Sequence, residues 1–497
     1  MRHVMFDGRQ NSEKANAAYG PTRRTMLQRT AMGIGSLALT HLMQDASGLR
    51  AATAESFDLK PKPSHFPAQA KSIIMLLQNG GPSQMDLFDP KPALNQYAGE
   101  KHPEDVESFQ PGSEQDIVKG TSFKFAKYGQ AGLDFSSDLV PHLGDAADDV
   151  CQIRSMWSDN NNHPQGMRVL NTGKVFLGRP TLGSWVSYAL GSENQNLPAY
   201  IVLRDPEGYN NGGTTIWTNG WLPAMYGGSE VQSKGAPVLN LKPAMAAPAG
   251  VQQTNLELLA ALNQERRKLY PQDSRLEARI QHYELAARMQ LAAEKTLDLS
   301  RETASTRKRY GIDQPETDGY GRRCLMARRL VESGVRFVLV TAPIQHGGMP
   351  WDHHGYLDRD IPKISRQVDQ PSAALIADLK QRGLLDETIV IWSGEFGRLP
   401  TGQRGTGRDH NRFAFTTLVA GGGFKSGCVH GATDAFGYKA VEDLVSCPDL
   451  HATLLHQLGL DHDVLSFRHS GRDETLTDSP VSEARVVSEI INGPLRS

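Results

Sequence analysis

The chain of 497 residues is long enough for one large α/β domain with insertions or for two domains. Its net charge of −2 and isoelectric point of about 6.8 exclude a general electrostatic attraction to nucleic acid, so no nucleic-acid partner is expected. A hydrophobic content of 39% with 48 glycines and 28 prolines is typical of a loop-rich globular protein.

Residues 1–54 have the pattern of a twin-arginine signal region. Arg23 and Arg24 form the arginine pair, a short apolar run follows at 31–42, and residues 52–54 form a small-x-small cleavage site. The run is too short to span a bilayer as a stable helix, so an integral membrane protein is not expected. The pattern predicts passage through the twin-arginine export machinery to the periplasm or the extracellular space. A basic tail beside a marginal helix is the alternative.

The cysteines give no sign of a disulfide framework or a metal motif. There are four, Cys151, Cys324, Cys428 and Cys447, and none has CxxC spacing. Because twin-arginine export moves proteins that have already folded, disulfides are optional. We therefore predict that all four are thiols in the core.

The first predicted strand is an apolar run at 71–77. It ends in the loop 78–86, which carries the amide of Asn79, the hydroxyl of Ser83 and the carboxylate of Asp86. Such groups at a strand end are suited to bind a metal ion or an anion. A glycine turn with an Asx or Ser cap is the alternative, and the loop taken alone favours it.

A second strand end is predicted around His163. The segment 138–147 has a helical pattern, 150–156 resembles a strand, and a helix is predicted from 165 to 170, ending at Thr172-Gly173. Free N–H groups and the macrodipole attract anions to helix amino ends, so His163 lies where a phosphate or sulfate group can be held. A helix cap or a surface histidine is the alternative.

The middle of the chain is predicted to hold an insertion at about 205–318. A strand at 199–203 precedes it, and the first part, 205–247, is rich in glycine, asparagine and proline, as in a substrate-facing lid. The segment 255–309 has a helical pattern that Pro271 divides, with Leu256, Leu259 and Leu262 among the residues spaced for one buried face.

The strongest metal signal follows the predicted strand 335–341, which a helix at 324–333 precedes. His346, Asp352, His353 and His354 lie within nine residues of one another at the strand's exit. Imidazole nitrogen and carboxylate oxygen are ligands suited to zinc or manganese. A solvated polar loop is the alternative.

A helix at 373–383 and a strand at 389–392 deliver Glu395 into a loop. The glycine-rich segment 401–407 is predicted as a loop that leads to Asp409-His410, which can supply a further ligand with an orienting carboxylate or form a hydrogen-bonded loop cluster. A strand at 415–420 and a closing helix at 449–458 follow, and His451 on that helix is predicted to be packed rather than ligating.

Several motifs together resemble one bacterial family, known as domain of unknown function 1501 and abundant in planctomycete-type secretomes. It lies within the sulfatase and alkaline phosphatase superfamily. The motifs are GGPSQMDLFDPKP at 80–92, TGKVFLGRPTLGSWVSYALGSENQNLPAYIVL at 172–203, WDHHG at 351–355, GEFGRLP at 394–400 and GRDHNRF at 407–413. The resemblance covers the chain from about residue 65 to 497. It implies an α/β sandwich with a mostly parallel central sheet flanked by helices.

The resemblance also implies positions for a metal site. Asp352, His354 and His410 match best as ligands, Glu395 takes the place of a metal-binding aspartate, and Asn79 replaces an aspartate at the first strand end, with Asp86 as its substitute. His163 falls at the sulfatase nucleophile position, nine residues before Thr172. No Cys-x-Pro-x-Arg motif is present, so formylglycine chemistry is not expected.

The hypothesis from the sequence is an exported hydrolase of phosphate or sulfate esters that depends on a divalent metal ion, whether zinc, manganese or calcium. In that hypothesis Arg398 or Arg408 neutralises the anionic group, and His163 is nucleophile or general acid, with Ser83 as the rival nucleophile. The substrate would be a small-molecule or glycan ester. The alternative is a binding or cell-surface protein that keeps the fold and has lost turnover.

Overall fold

A computed structural model of the chain describes residues 58–109, 116–233, 251–269, 280, 296–344 and 348–496. The predicted signal region, Pro271 and His346 lie outside these ranges. The described residues belong to one compact unit that begins at about Phe57.

The described part of the chain contains 17 strands and 11 α-helices. The strands are β1 Ser72–Leu77, β2 Phe125–Tyr128, β3 Leu133–Ser136, β4 Val150–Trp157, β5 Tyr200–Leu203, β6 Ser229–Glu230, β7 Phe337–Thr341, β8 Thr388–Ser393, β9 Gly397–Gln403, β10 Gly407–Asn411, β11 Phe415–Ala420, β12 Cys428–His430, β13 Ala432–Thr433, β14 Ala440–Glu442, β15 Val445–Ser446, β16 Ser466–His469 and β17 Arg472–Thr475. The helices are α1 Gln84–Leu87, α2 Pro92–Gln96, α3 Pro141–Asp145, α4 His163–Thr172, α5 Leu182–Leu190, α6 Val251–Leu269, α7 Ala304–Arg309, α8 Asp318–Glu332, α9 Leu357–Gln381, α10 Cys447–Gln457 and α11 Ser479–Ser482.

Nine of these strands form the main sheet, in the order β12-β4-β11-β8-β1-β7-β5-β6, with β15 added beside β4. Strand β11 runs antiparallel to both of its neighbours, and the other pairs in the sheet are parallel. The carboxyl ends of β1, β4, β7 and β8 therefore lie at one edge of the sheet, where the loops that follow these strands meet.

The core has two layers because β1 is buried on both faces. Ile74 and Leu76 point into a cluster with helices α8 and α9, whereas Ile73, Met75 and Leu77 point into a cluster with α4, α5 and α10. A continuous apolar run of this kind is typical of a central parallel strand covered by helices on both sides. The predicted fold class, an α/β sandwich with a mostly parallel central sheet, is confirmed.

The predicted strands at 71–77, 389–392 and 415–420 are confirmed as β1, β8 and β11. The segment 401–407 was predicted as a loop, and this prediction is wrong: β9 and β10 form an antiparallel hairpin that turns at Arg404–Thr406. Glycines at 397, 402 and 407 hide the strand pattern in the sequence, but Gly397 and Gly407 lie where a Cβ would meet backbone atoms at 2.1–2.2 Å.

The stretch predicted as an insertion contributes the edge strand β6 and the helices α6 and α7. The predicted burial of Leu259 and Leu262 is wrong, since these side chains are 40% and 59% exposed. Helical spacing of leucines shows only that a helix has an apolar face; it does not show that another element covers that face.

Two of the four cysteines are bonded to each other, which corrects the prediction of four core thiols. Cys151 on β4 and Cys428 on β12 form a disulfide whose Cα atoms are 4.6 Å apart, while Cys324 and Cys447 are buried free thiols. The two bonded residues are 277 positions apart in the sequence, so only the pairing of β12 with β4 brings them together.

Thiol titration in denaturant without reductant is expected to find two free thiols, and four after reduction. Replacing Cys428 by serine is expected to lower the free energy of unfolding by about 2–5 kcal/mol, because the cross-link closes a long loop and restricts the unfolded chain. Four accessible thiols in the unreduced, denatured protein would contradict the disulfide.

Within the described ranges, no helix combines the length and the apolar character that crossing a bilayer requires.

Candidate metal centre

Four side chains from three separate segments converge at the sheet edge defined above. His163 is the first residue of α4, Asp352 and His354 lie in the loop after β7, and His410 lies on β10. Their ligand atoms all lie within 4.8 Å of one another, and the group can hold a metal ion. We call these four residues the His–Asp cluster.

The cluster is centred on one carboxylate oxygen. Oδ1 of Asp352 lies 3.0 Å from Nε2 of His354 and 3.2 Å from Nε2 of both His410 and His163. The guanidinium of Arg398 lies 2.7 Å from the same oxygen. Four nitrogen atoms thus surround an oxygen that has only two lone pairs, so hydrogen bonding by itself does not explain the arrangement.

The second ring nitrogen of each histidine faces an oxygen atom. Nδ1 of His163 lies 2.6 Å from the carboxylate of Glu395, Nδ1 of His410 lies 2.6 Å from the backbone carbonyl of Asn161, and Nδ1 of His354 contacts the amide oxygen of Gln403. These oxygens only accept hydrogen bonds, so each Nδ1 carries the proton. In this tautomer every Nε2 is free to present a lone pair to a metal ion at the centre of the cluster. Histidine ligands of metal ions commonly show this arrangement.

The electrostatics differ between the histidines of the cluster. Burial lowers the pKa of His410 to about 3, so its ring is neutral at physiological pH. Burial also acts to lower the pKa of His163, but the hydrogen bonds and charges of Asp352 and Glu395 outweigh it and raise that pKa. Burial opposes ionisation of Asp352, whereas the charge of Arg398 and hydrogen bonds from the three histidines hold the pKa of its carboxyl far below the ordinary value.

Arg398 and Arg408 are both fully buried, and their donors contact protein oxygens. Besides Asp352, Arg398 donates to the backbone carbonyls of Gly81 and Arg408 at 2.8 and 3.0 Å. Arg408 pairs with Asp86 at 2.9 Å, and both side chains have 0% exposure. These contacts place both arginines in the framework of the site.

The other predicted residues at the first strand end lie in hydrogen-bond networks of their own. Ser83 donates to Asp86 at 2.5 Å, and Asp86 is the partner of Arg408. Asn79 donates to the backbone carbonyl of Gly348 and accepts from Asn210. Neither Asn79 nor Asp86 belongs to the His–Asp cluster.

Two kinds of site residue escaped the sequence reasoning. Gln403 and Asn161 contact the outer nitrogens of cluster histidines, and the ring of Phe109 packs on His410 with the two centroids 4.5 Å apart. No local pattern distinguishes such residues, because their contacts join segments that are distant in the sequence. The motif GRDHNRF, in which His410 lies, pointed to the right segment.

The chain matches the family described as "Protein of unknown function (DUF1501)" over residues 70–491. It belongs to that family. The resemblance predicted from the motifs is thereby confirmed. No match was found among curated protein sequences.

Solved structures similar to this DUF1501 protein include several hydrolases. A sulfatase from a Pseudoalteromonas species is 13% identical, with a TM-score of 0.34, and the match covers 80% of this chain and 69% of that one. An alkaline phosphatase superfamily protein from Vibrio parahaemolyticus is 13% identical (TM-score 0.32, 82% and 72% covered). A phosphonate monoester hydrolase from Silicibacter pomeroyi is 12% identical (TM-score 0.36, 86% and 78% covered). Likenesses at this level concern the fold alone.

Proposed function

We propose that this DUF1501 protein is an exported hydrolase of phosphate or sulfate esters that depends on a divalent metal ion bound by His163, Asp352, His354 and His410. The observation that carries the proposal is the convergence of three Nε2 atoms, from His163, His354 and His410, on one oxygen of the Asp352 carboxylate. Imidazole nitrogens and a carboxylate oxygen gathered at this spacing from separate segments form the kind of ligand set that binds a divalent cation.

The charges of the surrounding buried side chains support a divalent ion. Asp352 and Glu395 contribute two negative charges, and the buried Asp409 adds a third, 3.6 Å from Nδ1 of His354. Arg398 contributes one positive charge. Because histidine is neutral when it ligates a metal ion, these side chains then sum to −2, which one divalent cation balances.

The ligand set favours zinc over calcium. Zinc is commonly held by four ligands that include imidazole nitrogens, whereas calcium takes six to eight oxygen ligands. Three imidazoles and one carboxylate supply too few oxygens for calcium. Manganese is the second choice.

The residues around the cluster have different roles in the proposed site. Arg398 fixes the Asp352 carboxylate, and the oxygens behind the histidines hold the three rings in place. The site opens at His354, whose side chain is 25% exposed, compared with 1% for His410, so an ester enters from the His354 side. His163, Asp352, His354 and His410 would hold the metal ion, which would supply a Lewis acid for the anionic oxygens of the ester and, with a water as an additional ligand, lower the pKa of that water.

The Cys151–Cys428 disulfide supports the proposed export, because disulfides persist in oxidising compartments such as the periplasm. The twin-arginine pattern of residues 1–54 supports the same location.

Protein purified without chelator is expected to contain zinc or manganese in stoichiometric amount and to hydrolyse at least one substrate in a panel of aryl phosphate, phosphodiester and aryl sulfate. Chelation should abolish the hydrolysis, and adding the metal back should restore it. Metal-free protein that shows saturable anion or glycan binding and no metal-dependent turnover would contradict the proposal and favour the binding-protein alternative.

A further inference from the structure

We infer that Glu395 is a positioning residue of the proposed metal centre: it does not ligate the ion but holds the ring of His163 so that Nε2 faces the ion. The inference rests on the proposed metal-dependent function and assigns Glu395 a different role from the ligand role that its position in the motif implies.

Two protein groups form hydrogen bonds with the Glu395 carboxylate. Its Oε1 lies 2.6 Å from Nδ1 of His163, and the backbone N–H of Gly80 donates to Oε1 and Oε2 at 2.9 and 3.0 Å. The side chain has 0% exposure. Both oxygens thus face donors on the protein, and the contact with His163 is on the nitrogen opposite to the cluster centre.

Glycine at position 80 makes this contact possible. Gly80 has a φ of +111°, and a Cβ there would lie 2.7 Å from the backbone nitrogen of Trp351 and 2.9 Å from that of Asp352. The loop after β1 therefore lies directly against the segment that carries two metal ligands, and its N–H can reach Glu395 at the end of β8. Because Gly80 contacts both Glu395 and the backbone of Asp352, the positions of these two carboxylates depend on each other.

Helix α4 also packs closely against Glu395. A Cβ at Gly166 would lie 3.3 Å from Cβ and Cγ of Glu395 and 3.1 Å from the ring of Phe396. The ring of Phe396 also packs against His163, with centroids 4.8 Å apart. Both the first turn of α4 and the loop after β1 therefore contact Glu395, and these contacts restrict the position of its side chain.

A carboxylate behind a histidine ligand has two effects on metal binding. It fixes the tautomer with Nδ1 protonated, and it makes Nε2 a stronger donor to the ion. His354 and His410 have neutral oxygens from Gln403 and Asn161 in the equivalent place. Since His163 has a full negative charge behind it, loss of Glu395 should weaken metal binding more than loss of the Gln403 amide.

The test compares Glu395→Ala, the nearly isosteric Glu395→Gln and Asp352→Asn as the example of a lost ligand. Zinc affinity is measured by competition with a chromophoric chelator, and the geometry at the metal is followed by the visible absorption of cobalt(II)-substituted protein. Glu395→Ala is expected to weaken zinc binding about 10- to 100-fold while cobalt keeps its four-coordinate spectrum. Glu395→Gln retains an oxygen that accepts from Nδ1 of His163, so its zinc affinity should fall less than that of Glu395→Ala. Glu265→Ala, at an exposed position on α6, is the control.

Wild-type zinc affinity and an unchanged cobalt spectrum in both Glu395 variants would overturn the positioning role alone. If Glu395→Ala loses zinc binding as completely as Asp352→Asn and the cobalt spectrum shows a change of coordination, Glu395 ligates the ion. This result would also overturn the positioning role, but it would leave the metal-dependent function intact. A wild-type protein that binds no divalent ion would refute the proposed function and the positioning role together.

Discussion

Replacement of Asp352 by asparagine is expected to abolish tight metal binding and, with it, metal-dependent hydrolysis. The carboxylate oxygen of Asp352 is the atom on which three histidine nitrogens and Arg398 converge. An amide of the same shape removes the negative charge that attracts the ion and that balances Arg398. We expect the zinc dissociation constant to rise by more than about 100-fold, beyond the range typical of residues behind the ligands.

Asp358→Asn is the matched control for this change. Asp358 lies six residues further along the chain, its side chain is 46% exposed, and it pairs with Lys119 at 3.1 Å. The same chemical substitution there should leave the zinc affinity unchanged. A zinc affinity of Asp352→Asn equal to that of the wild type, in a folded protein, would contradict the proposed metal centre.

Asp86→Ala is expected to destabilise the fold by about 3–5 kcal/mol, because it leaves the guanidinium of Arg408 buried without its charge partner. Both side chains have 0% exposure, and Arg408 also donates to the carbonyl of Pro400 at 3.0 Å in the hairpin. The measurement is the free energy of unfolding by guanidinium chloride at neutral pH.

The same pair makes stability depend on pH. Burial opposes the ionised form of Asp86, but the charge and hydrogen bonds of Arg408 and the hydroxyl of Ser83 outweigh it and lower the pKa of the carboxyl. A lowered native pKa stabilises the fold above the unfolded pKa, which is about 3.9, and this contribution is lost as the pH falls below it. The free energy of unfolding should therefore fall more steeply on acidification in the wild type than in Asp86→Ala.

Glu265→Ala provides the comparison for an exposed ion pair. Glu265 and Lys268 lie 2.7 Å apart with side chains 69% and 71% exposed. The substitution should therefore lower the free energy of unfolding by less than about 1 kcal/mol. Equal losses for Asp86→Ala and Glu265→Ala would show that the buried pair contributes no more than a surface pair.

The sequence predicted the core of the sheet well and its periphery less well. The apolar runs at β1 and β8 and the helix ending at Thr172-Gly173 were recognised because local patterns determine them: β-branched residues favour buried strands, and a glycine with positive φ ends α4. The β9–β10 hairpin was missed, because its glycines serve close packing against other segments, which a local pattern does not reveal.

For the candidate site, the sequence pointed to the segments but not to the roles within them. His163, Asp352, His354 and His410 were all named in advance, and the fold brings them together. The role of Glu395 was not predictable, because it depends on whether the carboxylate faces the centre of the cluster or the back of His163. That choice follows from the packing of α4 and of the Gly80 turn around it.

The sequence by itself determined the family, the fold class and the residue types available for a metal ion, since these are recorded in motifs and in the periodicity of apolar residues. The tertiary structure alone decided which side chains meet, that Cys151 bonds to Cys428, and that Asp86 and Arg408 form a buried pair. The physical reason is the order of the strands: adjacency in the sheet joins residues that are hundreds of positions apart, and no local pattern contains that adjacency.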